Sequence, residues 1–190
     1  MFSDLWQIES TNYDISARNA KTQRCKTHGR RNGHRAEWPA VNRGPIEDRP
    51  MTHHRIRKFN TGDTYPEQKL DNDLCQAVVT QGGKTVWMRG QCPQNLVDAK
   101  NIDSHDPAEQ THKVMQNIRQ LVTEAGGEIA HVVKLVVYIT DIRHREAVYR
   151  TMGEYIKGVH PVCTGLVVQA LARPEWLVEI DATAVIPDQD

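Results

Sequence analysis

The sequence lacks the features of a membrane-spanning or secreted protein. No apolar run reaches the roughly 18 residues that a membrane-spanning helix requires. The N-terminus has no apolar segment of the kind that a secretory signal contains. The four cysteines, Cys25, Cys75, Cys92 and Cys163, form no C-x-x-C pair and have no histidine partner at zinc spacing. We therefore predict a cytoplasmic protein with free thiols, no metal site and no contact with a membrane.

Net charge is also missing, but the two ends of the chain differ in sign. Residues 1–58 contain twelve Lys/Arg and six Asp/Glu, a surplus of +6, so residues 59–190 carry −6. A basic segment can indicate nucleic-acid binding, yet this one has no aromatic interleaving and no helical periodicity. Residues 1–50 are therefore predicted to be a disordered N-terminal extension, or an upstream extension of the reading frame before Met51. Residues 51–190 are long enough for one domain.

The patterns that follow predict the element order β-β-β-α-β-α-β-β. The strands are predicted at Ile56–Asn60, Cys75–Gln81, Thr85–Gln91, Val132–Thr140 and, in two parts, within Pro161–Pro187. Gly82-Gly83 lies between the second and third strands, which predicts a hairpin. A short turn at Ala172-Arg173-Pro174 is predicted to join the two closing strands.

Two helices are predicted between these strands. Asp106 is a favourable N-cap, Pro107 suits the first helical position and Glu109 follows three residues after the cap. Gly126-Gly127 ends this first helix. The second helix begins at Asp141 and ends before Gly158. The order of elements predicts an α+β fold with one mixed sheet and both helices on one face.

The last strand shows which face of the sheet is polar. Its residues alternate, with a buried-type series pointing one way and Glu179, Asp181 and Thr183 pointing the other. The apolar residues Trp87, Val136 and Val167 are nevertheless expected on the face without helices. An open apolar face favours association with other chains, so we predict an oligomer.

An ordered set of short motifs resembles the Rid family, the reactive intermediate deaminases or YjgF-type proteins. The segments that carry the resemblance are Val86–Pro93 (VWMRGQCP), Gln116–Ile118, Glu124–Gly127, Val133–Asp141 and Val178–Val185 (VEIDATAV). The resemblance implies a chorismate-mutase-like fold and a homotrimer with three clefts between neighbouring subunits. It also implies hydrolysis of imines or enamines, such as 2-aminoacrylate, to a 2-keto acid and ammonia, with no metal or organic cofactor.

The resemblance also assigns site residues. Glu179 matches the glutamate that handles water, Gly90 matches a backbone contact to the substrate, and Thr164 lies beside the position that binds the substrate carboxylate. Cys163 stands where active relatives have the carboxylate-binding arginine, and Arg89 stands where they have a serine. Cys163 is either a packed thiol or a reactive one. Arg89 is either a solvated charge or a replacement for the missing cation.

Three functions remain open on this reading. The first is imine or enamine deaminase-like hydrolysis of a small 2-imino acid or a related metabolite. The second is a non-catalytic protein that binds or senses a small metabolite in the same cleft. The third is the endoribonuclease activity sometimes attached to the family, which the charge of −6 on residues 59–190 disfavours, because phosphate binding needs cations.

Overall fold

The computed structural model describes residues 53–188, and the predicted extension at residues 1–50 lies outside the described residues. The strands are β1 (His54–Asn60), β2 (Asp73–Val79), β3 (Lys84–Trp87), β4 (Val132–Ile139), β5 (Val162–Val167) and β6 (Val178–Ile186). The α-helices are α1 (Thr61–Thr64), α2 (Pro107–Glu124) and α3 (Arg145–Ile156). No helix of the described part is long and apolar enough to cross a membrane.

A four-stranded mixed sheet in the order β3-β6-β4-β5 forms the centre of the fold. β6 pairs antiparallel with β3 and with β4, whereas β4 and β5 run parallel. β1 and β2 form a separate antiparallel pair. The predicted α+β class is confirmed, but the predicted single sheet is divided into two.

The core lies between the four-stranded sheet and the two long helices. Residues of one face of β6 are buried as the alternation predicts, namely Val178, Ile180, Ala182, Ala184 and Ile186. From the helices, fully buried apolar side chains join the same cluster, namely Val114, Met115, Ile118, Val122, Val148, Met152 and Ile156. Because one cluster contains residues of both helices and of the sheet, both helices cover the same face.

The helix ends follow the local chemistry of the sequence. The carboxylate of Asp106 accepts hydrogen bonds from the backbone N–H groups of Ala108 and Glu109, at 2.8 and 2.9 Å, and so caps α2. Asp141 also acts as a cap, but it caps a short 3-10 turn at Ile142–His144, and α3 begins only after that turn. The second helix therefore starts four residues later than predicted.

The predicted hairpin at Gly82-Gly83 is wrong for the described residues. Both glycines have positive φ, as a tight turn requires, but β2 pairs with β1 and β3 pairs with β6. β3 reaches β6 because that strand offers an unpaired edge and a core-facing row of apolar residues. The two closing strands are not neighbours either, because β4 lies between β5 and β6.

The face of the sheet without helices carries both carboxylates and apolar residues. Trp87 is the register partner of Thr183 and is 80% exposed. Leu166 is 45% exposed on the same face, since it is the partner of Tyr138. Val167, expected here, is instead the partner of the core residue Ile139 and points to the helix side. We call this surface, which includes Glu179 and Asp181, the open face.

Candidate functional site

The contact between Glu179 and Gly90 is the tightest feature of the open face. After β3, the chain continues beside β6, where Gln91 and Ile180 exchange two backbone hydrogen bonds of 2.9 and 3.1 Å. This pairing presses the backbone of Gly90 against the side chain of Glu179. A Cβ atom at position 90 would lie only 1.9 Å from Oε1 of Glu179, so only glycine leaves room for the carboxylate.

Arg89 and Cys92 complete this cluster around the carboxylate. Burial, followed by the charge of Glu179 and a hydrogen bond with it, raises the pKa of the Cys92 thiol to about 12. The guanidinium of Arg89 acts in the opposite direction on the same thiol. Cys92 is only 3% exposed, whereas Arg89 lies at the surface. The cluster is therefore a partly buried carboxylate with a neutral thiol beneath it and a cation at its rim.

An open cleft of about 600 Å³ lies beside Glu179. Its polar residues are Glu179, Asp181 and Tyr138, and its apolar wall is formed by the loop of residues 168–172. The hydroxyl of Tyr138 donates a hydrogen bond of 3.0 Å to Oδ2 of Asp181, and this bond raises the pKa of the phenol. The arrangement can hold a small ligand against two carboxylates and one hydroxyl.

The structure does not bring Cys163 to this cluster. Cys163 is the register partner of Leu135, so its side chain points to the helix side of the sheet, away from Glu179. Thr164 is the partner of Val136 and lies on the open face, but β4 separates its strand from the strand of Glu179. With strands about 4.8 Å apart, two strand spacings amount to roughly 10 Å. Arg89, Gly90 and Glu179 thus converge within one chain, and Cys163 and Thr164 do not join them.

On the helix side, Cys163 has a different set of neighbours. Its thiol forms a hydrogen bond with the hydroxyl of Tyr149, and burial raises the pKa of the thiol to about 11. Arg145 stacks on the same tyrosine, with its guanidinium carbon 4.6 Å from the ring centroid. Sequence reasoning did not select Tyr149 or Arg145, because only the packing of α3 against β5 brings them to Cys163.

Cysteine alkylation tests the state of these thiols. Because the pKa values are raised to about 12 for Cys92 and about 11 for Cys163, both thiols are protonated at pH 8, and the thiolate is the nucleophile. We expect iodoacetamide at pH 8 to leave both unmodified in the native protein and to modify both in urea, as peptide mass spectrometry would measure. Rapid native modification of Cys163 would instead support a reactive thiol.

Comparison with known proteins gives the family. The model of the family described as endoribonuclease L-PSP matches residues 70–186, a range that contains both Gly90 and Glu179. The chain belongs to the Rid family. This Rid chain is 32% identical to protein DfrA of Myxococcus xanthus over 129 residues, which cover 68% of this chain and 95% of DfrA. It is 29% identical to a RutC family protein of Pyrococcus abyssi over 102 residues, 54% of this chain and 79% of that protein.

The fold comparison agrees with the sequence comparison. The crystal structure of YyfB, a Rid-family protein of Yersinia pestis, is similar to this Rid chain with a TM-score of 0.56 at 29% sequence identity. The match covers 70% of this chain and 100% of YyfB. A second Rid-family protein of the same organism, YyfA, gives a TM-score of 0.51, also at 29% identity. The predicted resemblance to the Rid family is confirmed.

Among residues 53–188, no group of three or more His, Cys, Asp or Glu side chains could hold a metal ion.

Proposed function

We propose that this Rid protein hydrolyses a small imine or enamine, such as a 2-imino acid, with Glu179 as the group that activates water. The observation that carries the proposal is the contact between Glu179 and Gly90, because the residue at position 90 must be glycine for the carboxylate to occupy its place. The cleft beside Glu179 supports it, since a carboxylate at the wall of an open cleft can reach both water and a bound substrate.

The proposed reaction needs only a base, water and a substrate imine that is protonated at nitrogen. Glu179 accepts a proton from water while the water oxygen bonds to the imine carbon, and the C=N electron pair becomes the lone pair of the amine nitrogen. In the resulting carbinolamine, the proton held by Glu179 is transferred to the amine nitrogen, which regenerates the carboxylate. The C–N bond then breaks as the carbonyl forms, and the hydroxyl proton leaves with the ammonia as an ammonium ion. The Tyr138–Asp181 pair lies in the same cleft and can orient the nitrogen or the water by hydrogen bonds.

The remaining predicted contacts belong to this proposal as well. Gly90 would offer its backbone to the substrate, and Arg89 lies at the rim of the cluster. Thr164 is exposed on the same open face, two strands from Glu179. Cys163 and its neighbours lie on the helix side of the sheet, so they would contact the same substrate only if a neighbouring subunit supplied them. A homotrimer with clefts between subunits would meet that condition.

We expect the full chain to be a trimer in solution. The exposed side chains of Trp87 and Leu166 on the open face require a cover, and a second copy of the chain is the simplest one. Multi-angle light scattering at micromolar concentration measures the mass directly. A monodisperse monomer would contradict both the trimer and a site shared between subunits.

A turnover assay tests the proposed function. 2-Aminoacrylate generated in situ decays to pyruvate without an enzyme, so the measured quantity is the increase in that rate per mole of protein. Imines of larger side chain, made by an amino-acid oxidase, extend the assay across the substrate class. Rates equal to the uncatalysed reaction for all of them would overturn the deaminase proposal.

Non-catalytic binding is the second candidate, and one observation favours it. None of the side chains that line the cleft beside Glu179 is a cation, while two are carboxylates. Position 163 supplies a thiol in place of the arginine of active relatives. A protein that binds a metabolite in the cleft without turnover would give a calorimetric signal on titration with a small 2-oxo acid such as 2-oxobutyrate. It would not increase the rate of imine hydrolysis. The charge of −6 on residues 59–190 continues to disfavour an RNA substrate.

A further inference from the structure

A second cavity lies on the helix side of the sheet, where α3 packs against β5. It occupies about 280 Å³ and is lined by Arg145, Tyr149 and Gly165, and by the apolar residues Val137, Ile139, Ile142, Leu166 and Val167. The cavity beside Glu179 is different, since the two share no lining residue. This cavity therefore combines one cation and one hydroxyl with an apolar floor.

Two contacts hold the guanidinium of Arg145 in place. The group stacks on the ring of Tyr149 at 4.6 Å, and Nη2 donates a hydrogen bond of 3.0 Å to Oε1 of Gln68. A guanidinium has five N–H donors, so most of them remain after this bond. No carboxylate of residues 53–188 forms a salt bridge with Arg145, whereas Arg143 and Arg150 on the same segment each have one. Arg145 is thus an oriented cation whose charge is not neutralised by a partner in the described part of the chain.

Tyr149 links this cation to position 163. Its side chain is buried, and its hydroxyl lies so close to Gly165 that a Cβ atom there would be 1.9 Å away. Burial raises the pKa of Tyr149, so the phenol stays protonated and can donate a hydrogen bond. The same hydroxyl contacts the thiol of Cys163. The side chain at position 163 and the guanidinium of Arg145 therefore both contact Tyr149.

We propose that Arg145 binds the carboxylate of a short-chain 2-oxo or 2-imino acid in this cavity. Arg145 would then supply, from the helix, the cation that the resemblance to active relatives places at position 163 of the strand. A guanidinium fork matches a carboxylate with two parallel hydrogen bonds, which a thiol cannot provide. The choice of substrate rests on the proposed function, but binding of the acid can be measured without any turnover.

The dimensions of the cavity limit the ligand. The space of about 280 Å³ includes part of the opening to solvent, so the enclosed part of the cavity is smaller and suits only a molecule well below drug size. The apolar residues Val137, Ile139 and Ile142 favour a hydrocarbon tail next to the carboxylate. Acids of about three to five carbons meet both conditions, whereas dicarboxylates would bury a second charge against apolar side chains.

Calorimetric titration of the full chain with 2-oxobutyrate tests the assignment. We expect Arg145→Gln to weaken binding by about 10- to 100-fold, because a charge-assisted bond to the acid is lost. Arg145→Lys should bind with intermediate affinity, because it keeps the charge but loses the planar fork. Arg150→Gln is the matched control on the same helix and should bind as the wild type does. 2-Butanone, which has the same carbon chain without the carboxylate, should show no dependence on residue 145.

Each result decides the proposal. If folded Arg145→Gln and Arg145→Lys both bind 2-oxobutyrate with wild-type affinity, the assignment is overturned, and loss of binding in Arg89→Gln instead would move the cation to Arg89. Melting temperatures show whether each variant is folded. If Arg145→Gln does not fold, the affinity of Arg145→Lys for 2-oxobutyrate decides the assignment. Binding that depends on Arg145 without any imine turnover would contradict the proposed function and leave this inference standing. Imine turnover that does not change when residue 145 is substituted would contradict this inference and leave the proposed function standing.

Discussion

Glu179→Gln is expected to lower turnover by about 100- to 1,000-fold while changing the affinity for 2-oxobutyrate by less than about threefold. General acid–base catalysis by one positioned group contributes roughly 10²- to 10⁴-fold. Glutamine keeps the size and the hydrogen-bonding oxygen of glutamate, but it cannot accept the proton of water. The loss should therefore fall on kcat, with little change in ligand binding. The measurements are the imine turnover assay and calorimetric titration of the same protein sample.

Glu124→Gln is the matched control for that experiment. Glu124 lies exposed at the end of α2, where it accepts a hydrogen bond from Gln120, so the same chemical change should leave turnover unaltered. A Glu179→Gln variant that retains wild-type turnover would show that another base activates water. Asp181, in the same cleft, would then be the first candidate.

Gly90→Ala is expected to lower turnover by about tenfold or more with only a small loss of stability. The added methyl group would lie 1.9 Å from Oε1 and 2.7 Å from Cδ of Glu179. Those atoms belong to the end of a flexible side chain, so the carboxylate can rotate away at small cost, but it then leaves its working position. Turnover and the melting temperature of Gly90→Ala should consequently separate, with activity falling far more than stability.

A double variant shows whether the two residues act as a unit. In the Glu179→Gln background the carboxylate function is already absent, so adding Gly90→Ala should lower turnover by less than about threefold more. Fully multiplicative effects of the two changes would mean that Gly90 matters for another reason, such as a backbone contact to the substrate. Unfolding of Gly90→Ala would mean that the contact serves the fold.

Local features of the sequence predicted the elements better than their pairing. Asp106 and Pro107 fix the start of α2 because capping depends only on neighbouring residues. The alternation in β6 fixed the face of Glu179 for the same reason, since successive side chains of a strand point to opposite sides. At Gly82-Gly83 the turn was predicted correctly, but the predicted pairing of the two flanking strands was wrong. The actual partner of β3 lies about a hundred residues away in sequence. Strand pairing at that distance is a property of the whole fold.

In the candidate site, too, local motifs predicted some residues, whereas others depend on long-range packing. Glu179 and Gly90 could be selected from short motifs, and the structure places them in contact. The assignment of Cys163 as a substrate contact stays a prediction, with its side chain on the opposite side of the sheet from Glu179. Arg145 carries no motif of its own, since it stands among Arg143 and His144 at the start of a helix. Its proximity to Cys163 depends on how α3 packs, which no local pattern contains.

The position of β6 inside the sheet has a consequence for local unfolding. Around Glu179 this strand is bonded on both sides, to β4 and to the segment of Gln91, so its amide protons can exchange with solvent only when the fold opens as a whole. β5 closes one end of the same sheet and can open on its own more readily. A ligand held beside Arg145 should therefore slow hydrogen exchange in β5 and leave β6 nearly unchanged. The carboxylate would thus lie on the strand that opens least readily, and the cation beside a strand that can open to admit a ligand.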